Sequence, residues 1–309
     1  MTQNDAPQSD VQSDIWSEWL LRHRYGNDAT YADSVRRAVE RCADRVLDGA
    51  QLGPNKTLAD IGTGDGAVAL RALQRIGPTL QVIQTDISAS LLRHAESLAE
   101  RQRVRSQCTF HRCSAEDLQP IAETSVDAAV TRAVLAYVGH KGKALKELFR
   151  ILKPGGVLSI AEPIFQDDAL ATLALKATLD TQPAEARDRF LTLMHRWKSA
   201  QFPDTEASMR STPLTNFSER DLLRWVQAAG FPEAHLELHI DTAYSKVPSW
   251  KVFLETSPHP QAPTLGAVMA ERFSSDERRF FEQALRPIVE NPKSLATDRM
   301  AFITAVKPG

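Results

Sequence analysis

Three glycines alternate at Gly62, Gly64 and Gly66, directly after the apolar run Leu58-Ala59-Asp60-Ile61 and directly before Ala67-Val68-Ala69-Leu70. Glycine lets a chain turn tightly and bring its amides close to a ligand, and at a helix start those amides favour a carboxylate or a phosphate. The pattern is that of a nucleotide-binding turn. Asp60 precedes the glycines, where a fixed carboxylate could hold a cation, and Asp65 adds a second negative charge inside the loop. Both would repel a pyrophosphate. Roughly twenty residues further on, the run Leu80 to Thr85 ends in Asp86, an acid placed to accept hydrogen bonds from ribose hydroxyls. Any adenosine ligand would satisfy these features.

The elements that must position them can be read from periodicity. Strand patterns near 57–61, 80–85, 107–112, 125–130 and 156–162 alternate with helical ones, which predicts a parallel sheet covered on both faces with ligands at the carboxyl ends of its strands. Upstream, Ile15, Trp16, Trp19, Leu20 and His23 give an amphipathic helix ending at Tyr25-Gly26-Asn27; a second follows, with the stripe Val35, Ala38, Val39, Cys42 and Val46. Over 166–216 the alternation stops, and helical patterns such as Phe190, Leu193, Met194 and Trp197 read as an inserted cap. A helix from the expected N-cap Ser218 to Ala229, a strand over 235–242, a second helical insertion over about 250–290 and a last strand near 300–306 complete the chain.

The fold expected is therefore α/β, a Rossmann-like seven-stranded mostly parallel sheet with helices on both faces and an inserted helical cap. Its parts are a disordered head (1–13), N-terminal helices covering the nucleotide site (14–56), the Rossmann-like core (57–165), the cap (166–216) and the completion of the core (217–309).

Four motifs in order resemble the class I S-adenosylmethionine-dependent methyltransferases of small-molecule type. The first is Asp60-Ile61-Gly62-Thr63-Gly64-Asp65-Gly66; Ser114-Ala115-Glu116-Asp117-Leu118 is similar to that family's adenine-contacting turn, and Ser125 to Leu135 to its fourth strand. The segment Ala144 to Leu158 is similar to its helix, Lys-Pro-Gly-Gly turn and fifth strand. The resemblance is close over Leu58 to Pro163 and general elsewhere. It implies S-adenosyl-L-methionine as cofactor and S-adenosyl-L-homocysteine as product. The implied cofactor set is Tyr25, Asp60, Gly62, Thr63, Gly64, Asp86, Ile87, Ser114, Ala115, Glu116, Asp117, Thr131 and Arg132. Within it, the amide of Ala115 would meet an adenine nitrogen. A carboxylate is common in the family where this chain has Ser114, so Glu116 or Asp117 would take the exocyclic amine. Thr131, Arg132 and Ala133 would lie under the methionyl part, though Arg132 reads equally as a surface ion-pair partner. Tyr25 either closes over the cofactor or packs helix against sheet.

Composition limits the alternatives. A net charge of −2 with both signs interspersed offers no field for a polyanion, which disfavours nucleic acid. The first ten residues are polar and acidic and no stretch has the length of a membrane span, so a soluble cytoplasmic protein without membrane partners is expected. Cys42, Cys108 and Cys113 have no paired metal-ligand spacing and read as reduced thiols, and no His and carboxylate cluster implies a metal. Arg101, Arg103, Arg105 and Arg112 read as charges at a helix C-terminus.

These readings converge on a methyltransferase acting on a small, mostly apolar or aromatic metabolite, with the O, N or C acceptor atom open. RNA or protein methylation, a noncatalytic cofactor sensor and a nicotinamide-dependent oxidoreductase are the alternatives. Catalysis would rest on alignment, with a base only for a protonated acceptor. The candidates for it are Tyr137, His140 and His195, with His235, His239 and Tyr244 behind them. The apolar helices outside the core could also pair two subunits.

Overall fold

The structure, a computed structural model, describes residues 14–309; the head expected over 1–13 lies outside the described residues. In chain order the helices and strands are α1 (Ile15–Leu21), α2 (Ala29–Ala50), β1 (Thr57–Ile61), α3 (Ala67–Ile76), β2 (Gln81–Asp86), α4 (Ala89–Arg101), β3 (Cys108–Arg112) and β4 (Val126–Arg132). Then come α5 (Lys141–Ile151), β5 (Leu152–Pro163), α6 (Gln166–Asp180), α7 (Arg189–Lys198), α8 (Glu206–Ser211), α9 (Glu219–Ala228) and β6 (Ala234–Tyr244). The last are α10 (Trp250–Glu255), α11 (Leu265–Arg272), α12 (Ser275–Val289) and β7 (Leu295–Val306).

The strands form one sheet in the order β3-β2-β1-β4-β5-β7-β6. Only β7 runs against its neighbours, so the expected seven-stranded, mostly parallel sheet is what forms. Alternation along β1 sends Leu58 to one face and Ala59 and Ile61 to the other. The Leu58 face is covered by apolar residues of α2, α3 and α4, including Val46, Leu73 and Ala99. The opposite face is covered by α5 and α9 through Leu145, Leu148, Leu222 and Val226.

Local chemistry sets the ends of these elements. Ser218 accepts a hydrogen bond from the Asp221 amide while Asp221 answers the Ser218 amide, a capping box that starts α9 where expected. β5 begins earlier than its apolar run: Leu152 already pairs with Val126, and the Lys153-Pro154-Gly155-Gly156 turn enters as an irregularity within the strand. α1 is shorter than its periodicity predicts. It ends at Leu21, and His23–Tyr25 form a separate 3-10 turn closed by left-handed Gly26. Ala38, expected in the α2 stripe, is exposed, while Ala43, Leu47 and Ala50 are buried.

The two helical insertions, separated by the helix and strand that resume the sheet, share one core. Leu193 and Trp197 of α7 are buried together with Trp250, Leu265, Val268, Phe273, Phe281 and Leu285 from α10–α12 and their connections. Their apolar stripes therefore face each other within one chain, forming a helical layer beside the carboxyl end of the sheet.

Candidate functional site

The glycine loop is tightly held from below. Gly62 and Gly64 both adopt left-handed backbone, with φ of +67° and +58°. A Cβ at Gly62 would stand 2.5 Å from Val134 Cγ2, and one at Gly64 would stand 3.1 Å from Leu20 Cδ2, so the loop runs between the continuation of β4 and helix α1. Asp60 is not a cation holder. Its carboxylate is buried and accepts hydrogen bonds from the Thr63 hydroxyl at 2.7 Å and the Ala69 amide at 3.2 Å, latching the loop to α3. Thr63 is occupied in the same latch, with the Gln84 side-chain oxygen 3.0 Å from its hydroxyl. Burial pushes the Asp60 pKa up to about 6, opposed by those hydrogen bonds.

Asp86 ends β2, as expected of a ribose acid. One oxygen accepts from the Gly64 amide at 2.9 Å and the other from the Ser88 amide at 2.8 Å. A carboxylate has about four lone-pair positions, so the two vicinal hydroxyls of a ribose could still be accepted. The helix-starting role of Ser88 is also real, since its hydroxyl accepts from the Leu91 amide. Beside Asp86, Ile87 leaves 47% of its surface exposed, an apolar side chain without a cover at the mouth of the loop. Across from it, Ala115 is buried and Ser114 closes the turn by accepting from the Glu116 amide. Glu116 is engaged elsewhere: it accepts from the His140 amide at 2.9 Å and lies 3.3 Å from the His140 ring. Asp117 is exposed, its carboxylate accepting from the Gln119 amide at 3.4 Å.

The carboxyl end of β4 is organised by a residue that carries no local sequence signal. Glu162, at the end of β5, is fully buried and accepts from the Val134 amide, the Ala136 amide at 3.1 Å and the Thr131 hydroxyl at 3.0 Å. Its pKa is raised by burial against these bonds. Thr131 is therefore part of a clamp under the loop. Between them Ala133 takes a left-handed φ of 57°, a strained backbone of the kind that collects at ligand sites. Arg132 is half-buried at this strand end.

Helix α1 lies across the mouth. Asp14 caps it through the Trp16 and Ser17 amides, and its second oxygen is 2.6 Å from the Ser88 hydroxyl. Trp16 meets Tyr137 edge-on at 5.1 Å, Leu20 covers Gly64, and the Trp19 indole donates to the Ser257 carbonyl. The turn after α1 then brings Arg24 and Tyr25 to the same mouth, where Arg24, Arg132, Asp65 and Tyr137 lie in one another's fields. Tyr25 thus stands beside the glycine loop at the carboxyl end of the sheet.

The three candidate bases do not assemble there. Tyr137 is in place, but burial and the Glu162 charge push its phenol far above its ordinary range, so it stays protonated and acts as a wall. His140 is exposed at the start of α5 and bound to Glu116 of the 114–117 turn. His195 is held within the cap by Asp204 at 3.1 Å; the helical stripe beside it faces the α10–α12 core. His235 and His239 flank Glu237 on the outer strand β6, and Tyr244 sits exposed at that strand's far end. Among the described residues no group of three His, Cys, Asp or Glu could hold a metal ion, and no helix is long and apolar enough to cross a membrane.

Residues 52–230 match the family described as a methyltransferase domain. The chain belongs to that family. The resemblance to class I S-adenosylmethionine-dependent methyltransferases is thereby borne out. Among curated relatives it is similar to the tRNA 5-carboxymethoxyuridine methyltransferase of Escherichia coli K12, at 35% identity over 153 residues, which cover 49% of this chain and 56% of that protein. It is also similar to the ubiquinone/menaquinone biosynthesis C-methyltransferase UbiE of Haemophilus ducreyi, at 31% identity over 39% of this chain and 47% of that one. The chain thus spans about half the length of the curated relatives it matches. The crystal structure of YcgJ from Bacillus subtilis shares the fold, with a TM-score of 0.55, 16% identity and coverage of 87% of this chain and 99% of that one.

Proposed function

We propose that this protein moves a methyl group from S-adenosylmethionine to a small acceptor held between the glycine loop and the helical layer. The observation that carries this is the pairing of Asp86 and Ile87. A strand-end carboxylate retains acceptor positions for a vicinal diol, and an uncovered apolar side chain beside it suits the flat face of adenine. When bound, the cofactor supplies a methyl group already activated on a sulfonium.

The chain's own residues then orient and shield. Asp86 fixes the ribose, Ala115 and Asp117 bound the adenine, and the loop latched by Asp60 presents its amides. The clamp of Glu162 on residues 134–136 holds the wall beneath the methionyl end. Helix α1, anchored at Ser88 and Ser257, excludes water from above. With no base among the candidates at the mouth, rate enhancement comes from alignment, worth up to about 7–11 kcal/mol in well-oriented systems. A second reading, with a modified nucleoside of tRNA as acceptor, is favoured by the 35% identical Escherichia coli relative and opposed by the net charge of −2.

Calorimetric titration with S-adenosylmethionine, S-adenosylhomocysteine and NADH tests the proposal. The first two should bind. Asp86→Ala should weaken both by about 10–100-fold, the effect of losing charged hydrogen bonds. Ile87→Asp, at an exposed position, should weaken them without disturbing the fold. Binding of NADH alone would overturn the reading. Titration of the cofactor-loaded protein with unmodified tRNA then separates the two acceptor classes.

A further inference from the structure

One edge of the sheet is left open at β6. The opposite edge strand, β3, is five residues long, whereas β6 is eleven residues long and pairs with β7 without a bulge from Ala234↔Ala305 to Tyr244↔Leu295. Edge strands are ordinarily blunted by short length, bulges, lysine or proline. β6 has none of these, and Lys246 and Pro248 come only after it ends. Among the described residues no strand pairs with its outer side.

The side chains of β6 divide between two faces. On one, Glu237 is held by Arg45 of α2 and by His235 and His239, so its charge is answered inside the chain. The Asp241 carboxylate on the same face has no partner among the described residues. On the other face Ala234 and Leu236 pack against the cluster formed with α5 and α9, but the row continues beyond that cover. Leu238 is 40% exposed, Ile240 and Tyr244 are each 58% exposed, and Leu295, opposite Tyr244 on β7, is 66% exposed. Among the described residues, four of the ten exposed large hydrophobic side chains thus stand on this one ribbon. β5 pairs with β7 only as far as Pro163↔Met300, so residues 240–244 continue past its end. The helical insertions spend their own apolar stripes on each other.

A second copy of the chain fits this edge. In an antiparallel pair, a two-fold axis normal to the sheet keeps like faces together, so the axis passes through a residue. Centring it on His239 sets Glu237 against the partner's Asp241, and centring it on Asp241 sets that carboxylate against its own copy; like charges directly opposed are destabilising. Centring it on Leu238 leaves Tyr244 beyond the overlapping strands, and centring it on Thr242 leaves Leu238 beyond them. Of these five positions Ile240 alone avoids both faults. There Ile240 meets its own copy, Leu238 meets the partner's Thr242, Leu236 meets the partner's Tyr244, and Asp241 meets the partner's His239.

We infer that β6 pairs antiparallel with the β6 of a second copy about a two-fold axis at Ile240, continuing the sheet across two subunits.

Sedimentation of the full-length protein over a concentration series should show a dimer. Ile240→Lys, which brings two ammonium groups to the axis, should raise its dissociation constant at least about tenfold. Because the position is exposed, that variant should keep the wild-type circular dichroism melt. Residues directly opposite across a strand pair have Cβ atoms about 4.5–5.5 Å apart, within reach of a disulfide. Under mild oxidation Ile240→Cys should therefore link two chains. Tyr244→Cys, exposed on the same face but set about 26 Å from its own counterpart by this register, should not. A wild type that stays monomeric at about 100 µM would give the edge to another occupant and overturn the inference. So would a dimer that Ile240→Lys weakens by less than the expected factor, or one in which Tyr244→Cys links as readily as Ile240→Cys.

Discussion

Replacing Asp60 by asparagine should make this protein more stable at alkaline pH and less stable in acid. The Asp60 carboxylate is 1% exposed, and its pKa is raised from 3.8 to about 6 by burial, against the hydrogen bonds from Thr63 and Ala69. In the window between those two values the native protein holds a proton that the unfolded chain has released. Stability therefore falls as pH climbs through the window and is level above it. A gap of roughly 2 units, at about 1.4 kcal/mol each, makes the ionised group an opposing contribution of about 3 kcal/mol near neutral pH. Asp60→Asn keeps one oxygen for both donors and removes the charge, but its amide needs an acceptor where the second oxygen now has no partner, which offsets about 1–2 kcal/mol. The net expectation is a gain of about 1–2 kcal/mol at about pH 8 and a loss of about 1–2 kcal/mol at about pH 4, where Asp60 is already protonated and only the amide penalty remains. Urea unfolding of both proteins at the two pH values measures it. A variant that keeps the wild-type slope between them would refute the assignment of that slope to Asp60.

Glu162→Ala should cost about 3–5 kcal/mol, because the Val134 and Ala136 amides lose their shared acceptor inside the core; a melting temperature within 2 °C or so of wild type would contradict the clamp. Gly62→Ala should lose about 1–3 kcal/mol to backbone strain and displace Val134, and should weaken cofactor binding; calorimetry showing wild-type affinity would argue against a tight loop. Asp14→Ala removes both the α1 cap and its tie to Ser88, about 1–2 kcal/mol locally, so trypsin should cut after Arg22 and Arg24 faster. An unchanged digestion rate would mean that α1 is held by its aromatic contacts instead.

The parts of this fold visible in the sequence are those whose signal is local. The glycine loop, the strand-end position of Asp86 and the capping role of Ser218 each depend on residues within a few positions of one another, and each appears in the structure where the spacing puts it. What escaped depends on distant partners. Glu162 closes an apolar strand like any solvent-facing acid would, and only the fold of residues 131–136 around it makes it a buried clamp. His195 follows an apolar stripe, but that stripe meets α10–α12, some fifty or more residues away in sequence, and the imidazole is left to Asp204. Asp60 was visible as an acid beside the loop, yet its direction, inward toward Ala69, is set by strand alternation and helix placement together.

The place of β7 in the sheet bears on how the chain is made. It is separated from β6 by the helices α10–α12, yet it lies between β5 and β6 and is hydrogen-bonded to both along its inner half. Until residues 295–306 leave the ribosome, β5 and β6 have no strand to join them, and each presents a bare edge to the cell. The cofactor half, β1 to β5, can assemble during synthesis from short-range crossovers, whereas the β6–β7 half must wait and then close in one late, long-range step. Stalled or prematurely terminated chains would therefore carry a formed nucleotide loop beside an open sheet, a species suited to capture by chaperones or to strand-edge aggregation.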